Sequence, residues 1–67
     1  MKVHTHITIE TFKVLYWYDP HIRSWTACVT DLGGFQIGNS VSWHTKGEIL
    51  EVCEDFAKEL PKSFAAE

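Results

Sequence analysis

The chain reads as an α+β domain: a three-stranded antiparallel sheet followed by one amphipathic helix, with a short C-terminal strand as an option for the tail. Three observations predict this. Two alternating aromatic runs, Phe12–Tyr18 and Trp25–Thr30, flank Asp19-Pro20; a Gly33-Gly34 pair follows; and apolar residues recur with helical spacing from Ile49 to Leu60. At 67 residues, positions 1–67 make a single domain, with 1–5 and 62–67 expected to fray.

The first strand changes phase. Ile7 and Ile9 are apolar at odd positions, whereas Phe12, Val14, Tyr16 and Tyr18 are apolar at even ones. A period of two buries one face, so the shift at Glu10-Thr11 predicts a bulge or short break within that strand. Leu15 and Trp17 add apolar bulk to the opposite face. Asp19-Pro20 then turns the chain, Pro by presetting φ and Asp by accepting a backbone bond two residues on. In the second strand Trp25, Ala27 and Val29 share one face, which makes Trp25 a core candidate, and Thr26, Cys28 and Thr30 share the other. Asp31-Leu32-Gly33-Gly34 is a corner in which glycine supplies positive φ. Phe35, Ile37 and Val41–Trp43 form a third, interrupted strand with Gly38-Asn39-Ser40 as its turn or bulge.

Thr45, followed three residues later by Glu48, is a capping-box pair that starts the helix. Ile49, Val52, Cys53, Phe56 and Leu60 fall on one helical face, Glu54 and Lys58 stand at i,i+4, and Pro61 is expected to stop the helix. Phe64 is then free to tuck back onto the sheet.

Composition excludes several functions. The formal charge is −3, and the six Lys and Arg residues are scattered singly, which argues against a general nucleic-acid binder. The acidic residues gather between Glu48 and Glu59. No apolar run approaches the roughly 20 residues of a membrane span, and no apolar leader opens the chain, so a cytoplasmic protein is expected. Cys28 and Cys53 read as buried free thiols rather than a disulfide framework. So small a core, with three Trp, two Tyr and four Phe to place, favours association, and a homodimer is expected.

Chemistry-bearing sets are sparse. His4 and His6 point the same way on a strand, but two ligands do not make a metal site. Cys28, His21 and His44 follow no catalytic motif, and the glycines do not stand between a strand and a helix start as a phosphate loop requires. No catalytic residue, metal or cofactor is assigned, and the chain is read as no enzyme. Trp17 and Trp43 are different: aromatic side chains off the predicted core are what interfaces use.

The run from Phe12 to Phe35, with Tyr18-Asp19-Pro20, Trp25-x-Ala27 and Asp31-Leu32-x-Gly34, followed by Thr45 to Leu60, resembles the HicB antitoxin fold and its small stand-alone relatives. Gly33 stands where that family usually has Pro, and the link from Phe35 to the helix is several residues longer. The chain ends soon after the helix, without the DNA-binding segment of full antitoxins. The resemblance implies a β-β-β-α(-β) domain, often oligomeric, that recognises a protein partner; it does not imply operator binding.

The functional expectation is therefore a non-enzymatic protein-interaction module, antitoxin-like or inhibitor-like. Its candidate surface combines Tyr16, Trp17 and Trp43 of the sheet with Glu48, Glu51, Asp55 and Glu59 of the helix. The partner would be a toxin or a nucleic-acid enzyme, the latter including the case of a phage or mobile-element inhibitor whose carboxylates mimic phosphates. The alternative of another class is an RNA- or single-strand-binding domain that stacks bases on Tyr16 and Trp17.

Overall fold

Five elements build the chain: β1 (His4–Ile9), β2 (Phe12–Asp19), β3 (Ser24–Asp31), β4 (Gln36–Trp43) and α1 (Lys46–Ala65). The computed structural model describes residues 2–65, with side chains described as far as Lys62. The strands form one antiparallel sheet in the order β1-β2-β3-β4. Helix α1 covers one face of it.

The sheet thus has four strands where three are expected from the sequence. The phase change at Glu10-Thr11 is a hairpin turn rather than an irregularity inside one strand. Ile9 pairs with Phe12 across it, and Glu10 reverses the chain at φ 55°. Facing residues of an antiparallel pair share a face. The odd positions Ile7 and Ile9 therefore join the even positions Phe12 and Val14 in one layer. His4 and Thr5 belong to β1. The bulge lies elsewhere in β1: Thr5 pairs with Leu15 and Ile7 with Val14, which leaves His6 as the extra residue.

Between β2 and β3 the register runs unbroken from Phe12↔Asp31 to Asp19↔Ser24. At its end the carboxylate Oδ1 of Asp19 accepts the His21 N–H at 2.9 Å, and the Ser24 hydroxyl donates to the Ile22 carbonyl at 3.2 Å. The Asp-Pro turn forms as its residue types predict. At the next corner Asp31 holds the loop closed: its Oδ1 accepts the Phe35 N–H at 3.0 Å and its carbonyl accepts the Gly34 N–H at 3.2 Å. Gly34 supplies the positive φ, 93°.

Strand β4 is continuous but bulged. Ala27 pairs with Val41 and Val29 with Ile37, so Gly38, Asn39 and Ser40 all stand opposite the single residue Cys28. Gly38 takes φ 76°, and a Cβ there would lie 3.2 Å from the ring of Phe56.

The core is one layer between the sheet and α1: Phe12, Val14, Ala27, Val29, Ile49, Leu50, Cys53, Ala57 and Leu60. Trp25 faces this layer but is only partly buried. On the helix, Leu50 and Ala57 replace the expected Val52 and Phe56, which are exposed. Relative to the expected face, the helix is rolled by about 50°. The small side chains of Cys53 and Ala57 let α1 lie close over the central strands, and the Phe56 ring is left against Gly38 at the margin. The helix also runs past Pro61 to Ala65, so Pro61 does not stop it and no C-terminal strand forms among the described residues. Proline removes one backbone bond there, a loss confined to the last turns. The expected tuck of Phe64 lies outside the described side chains.

Gly38 and Gly47 are predicted to respond oppositely to alanine. Gly38→Ala forces a left-handed backbone against the Phe56 ring and should cost about 1–3 kcal/mol in urea unfolding. Gly47→Ala, in the first turn of α1 with open space around it, should stabilise by about 0.4–1 kcal/mol. A neutral Gly38→Ala would contradict the bulge geometry.

Candidate interaction surface

The residues expected at the surface fall on separate sides. Tyr16 and Trp17 are neighbours in β2 and point to opposite faces. Tyr16 lies on the α1 side, partly buried against the core, stacked on His4 at 5.1 Å between ring centroids and tilted against Trp25 at 6.1 Å. The Lys46 ammonium stands 5.5 Å above the Tyr16 ring and 5.4 Å above the Trp25 ring. Trp17 is half-buried on the open face of the sheet, with Leu15 on the same strand. There the Thr26 and Ser42 hydroxyls bond each other at 3.0 Å across β3 and β4. Tyr16 and Trp17 thus do not form one shared stacking platform on a single face.

Trp43 is brought together with part of the acidic set. It closes β4, an edge strand with no further strand beside it among the described residues, where the Gln36 side-chain amide donates to the Gly38 carbonyl at 3.1 Å. Glu48, Val52, Val41 and Trp43 wall a cavity of about 170 Å³ between α1 and β4. A second one, about 340 Å³, continues along the same flank over Val41, Val52, Gly38 and Phe56. Trp43, Val52 and Phe56 are 53%, 53% and 41% exposed. Glu51, Asp55 and Glu59 are exposed on α1, with Glu59 3.8 Å from Lys62. Glu54, by contrast, is engaged at the β1 side by His6 at 3.5 Å and Lys58 at 3.3 Å.

Val52 and Phe56 were not legible as surface residues. Ile49, Leu50, Val52, Cys53, Phe56, Ala57 and Leu60 offer two overlapping apolar stripes, and the periodicity alone does not choose between them. The available signal is size: Ala57 and Gly38 mark where backbone approaches closely and displaces the larger ring.

The cysteine and histidine side chains are dispersed. Cys28 lies opposite Leu15 in mid-strand, whereas His21 belongs to the turn before β3 and His44 follows Trp43, 5.6 Å from its ring. Burial pushes the Cys28 thiol up from its ordinary value, and burial followed by the charge of Cys28 does the same for Cys53. A raised thiol pKa suppresses the thiolate that nucleophilic attack requires. His4 and His6 both approach Tyr16, and among the described residues no group of three His, Cys, Asp or Glu side chains is placed to hold a metal ion. No helix among the described residues is long and apolar enough to cross a membrane.

The thiols yield a prediction. The folded state prefers both protonated, so their contribution to stability is present below the ordinary value of 9.0 and is lost as pH rises through the raised folded values. At pH 8 a disulfide reagent such as DTNB should react with both thiols only at the rate of unfolding. Immediate reaction of the native protein would contradict the burial of Cys28 and Cys53.

No family model, curated protein or solved structure matches this chain, so the functional reading rests on the geometry of its own surface.

Proposed function

We propose that the chain is a non-enzymatic protein-interaction module, antitoxin-like or inhibitor-like, that engages a protein partner through the flank formed by β4 and α1. The observation that carries this reading is the run of Trp43, Val52 and Phe56, large apolar side chains left in water along one side of the molecule. Contiguous exposed apolar surface rimmed by polar groups marks interaction sites. The outer edge of β4 adds main-chain donors and acceptors that an extended partner segment can use.

Charge narrows the partner. Glu48 walls the groove and Asp55 and Glu59 are exposed on the same helix, so a complementary surface has an apolar centre and a basic rim. A homodimer through this edge would set two acidic rims against each other, and like charges in apposition are unfavourable. A basic protein therefore fits better than a second copy. Surfaces that bind nucleic acid are basic for the same reason, which supports a toxin or a nucleic-acid enzyme as the target, with Glu48, Glu51, Asp55 and Glu59 standing in for phosphates.

The test is capture of a partner from the native host by the wild-type chain and by Trp43→Ala and Phe56→Ala. Both variants should stay folded, with stability changed by about 1 kcal/mol. Each should weaken capture by about 30-fold if the residue is a hot spot. Equal capture by all three proteins would overturn this surface. Loss of the folded state in Trp43→Ala would show that Trp43 serves the core.

A further inference from the structure

A second concave site lies at the hairpin end of the sheet and adjoins the β4–α1 flank through Trp25, which pairs with Trp43. The β2–β3 hairpin tip and the start of β1 enclose about 590 Å³ lined by Lys2, His4, Tyr18, Asp19, Pro20, His21 and Trp25. That volume is within the range of small-molecule sites. Its walls are ring faces. Tyr18 meets Trp25 edge-on at 5.4 Å, Trp25 continues to Tyr16, and Tyr16 is stacked on His4. Tyr18 is 44% exposed, although the face it lies on is the one that buries the core. The scaffold uses these rings only in part.

The charge at this end opposes that of the whole chain. The net charge of −3 comes mainly from α1, where Glu48 to Glu59 hold five of the nine acidic residues. Around the ring cluster stand Lys2 and the Lys46 ammonium, together with two imidazoles. Asp19 is the one carboxylate in the lining, and its Oδ1 is engaged by the His21 N–H. A cationic ligand would have to displace Lys46 from the Tyr16 and Trp25 faces and then meet Lys2. A planar ligand with an anionic tail meets neither obstacle: its ring stacks on Tyr18 and meets Trp25 edge-on, and its negative charge finds Lys2 in the lining and Lys46 beside it. Stacking on aromatic side chains beside a basic group is how proteins hold single nucleotides of any sequence.

We propose that this pocket binds a nucleoside phosphate, the base stacked on Tyr18 with its edge towards Trp25, and the phosphate held by Lys2 of the lining and by Lys46, which stands beside it over the Trp25 ring. The acidic length of α1 repels a long strand, so the site takes one or two nucleotides and does not conflict with the absence of a general nucleic-acid surface.

The experiment is a titration of the isotope-labelled protein with AMP, UMP and a six-nucleotide single strand at low salt, followed by amide and indole chemical shifts. Saturable shifts confined to Tyr18, His21, Trp25 and Lys46 are expected. Binding of the monomers at least as tight as that of the oligonucleotide is expected; markedly tighter binding of the oligonucleotide would overturn the limit of one or two nucleotides. Tyr18→Ala should weaken binding by about 5- to 150-fold, the loss of one base-stacking contact. Lys46→Gln should also weaken it and should flatten its salt dependence, whereas Lys62→Gln, at the opposite end of α1, should leave it unchanged. No saturable shift with any of the three ligands would overturn the proposal. So would undiminished binding in both Tyr18→Ala and Lys46→Gln, or saturation of the same residues by tetramethylammonium instead.

Discussion

Val14 and Val29 face each other across the two central strands, and with Ile49 of α1 they are the largest side chains wholly withdrawn from water. The rest of the structure depends on this contact, because a chain of this length assembles only one apolar layer. The layer is thin, and the small residues Ala27, Cys53 and Ala57 bring the helix down onto it. Close packing of this kind leaves little tolerance: removing even one methylene from such a site is felt.

That constraint also decides what the molecule exposes. A single helix seated over the middle of a four-stranded sheet leaves the hairpin tip, the open face and the β4 flank without cover. On the flank the effect is sharpened by the bulge at Gly38, which lacks the side chain that would otherwise fill the space beneath Phe56. Val52, Phe56 and Trp43 are thus exposed as a consequence of the way the core closes. At the hairpin tip the same geometry leaves Tyr18 and part of Trp25 in the open, with Lys46 resting on the ring faces. The chain has an acidic helix and a more basic, ring-lined end, and the two surfaces suit different ligands. The partner proposed for the first is a protein with an apolar centre and a basic rim, and the ligand proposed for the second is a small anion that carries a flat ring.

Much of this was legible in the residues. Asp19-Pro20, Asp31 with Gly34, the alternation of β3, the start of α1 after Thr45 and the bulge at Gly38-Asn39-Ser40 are local chemistry, and local chemistry survives folding. The phase change at Glu10-Thr11 was visible but ambiguous, because a break in a period of two marks a bulge and a tight hairpin equally well. The turn has none of the Asn-Gly or Asp-Gly pairs that announce such hairpins; Glu10 takes the left-handed conformation instead. The roll of α1 was not legible, since it is set by the depth to which Ala57 and Cys53 settle on the sheet. Nor was the grouping of the candidate residues. Tyr16, Trp17 and Trp43 lie close in sequence pattern, yet strand alternation sends Trp17 to the open face, and strand order sets Tyr16 on a central strand and Trp43 on the β4 edge of the other face.

The central claim is that α1 is seated on Leu50 and Ala57, leaving Val52 and Phe56 free to form a surface. Solvent paramagnetic relaxation of methyl protons reads this directly. A soluble, inert paramagnetic agent should broaden the Val52 methyls strongly and leave those of Leu50, Ala57, Val14 and Val29 sharp. Protection of Val52 with exposure of Leu50 would contradict the account, since the helix would then be seated on the other stripe and the β4–α1 flank would not exist.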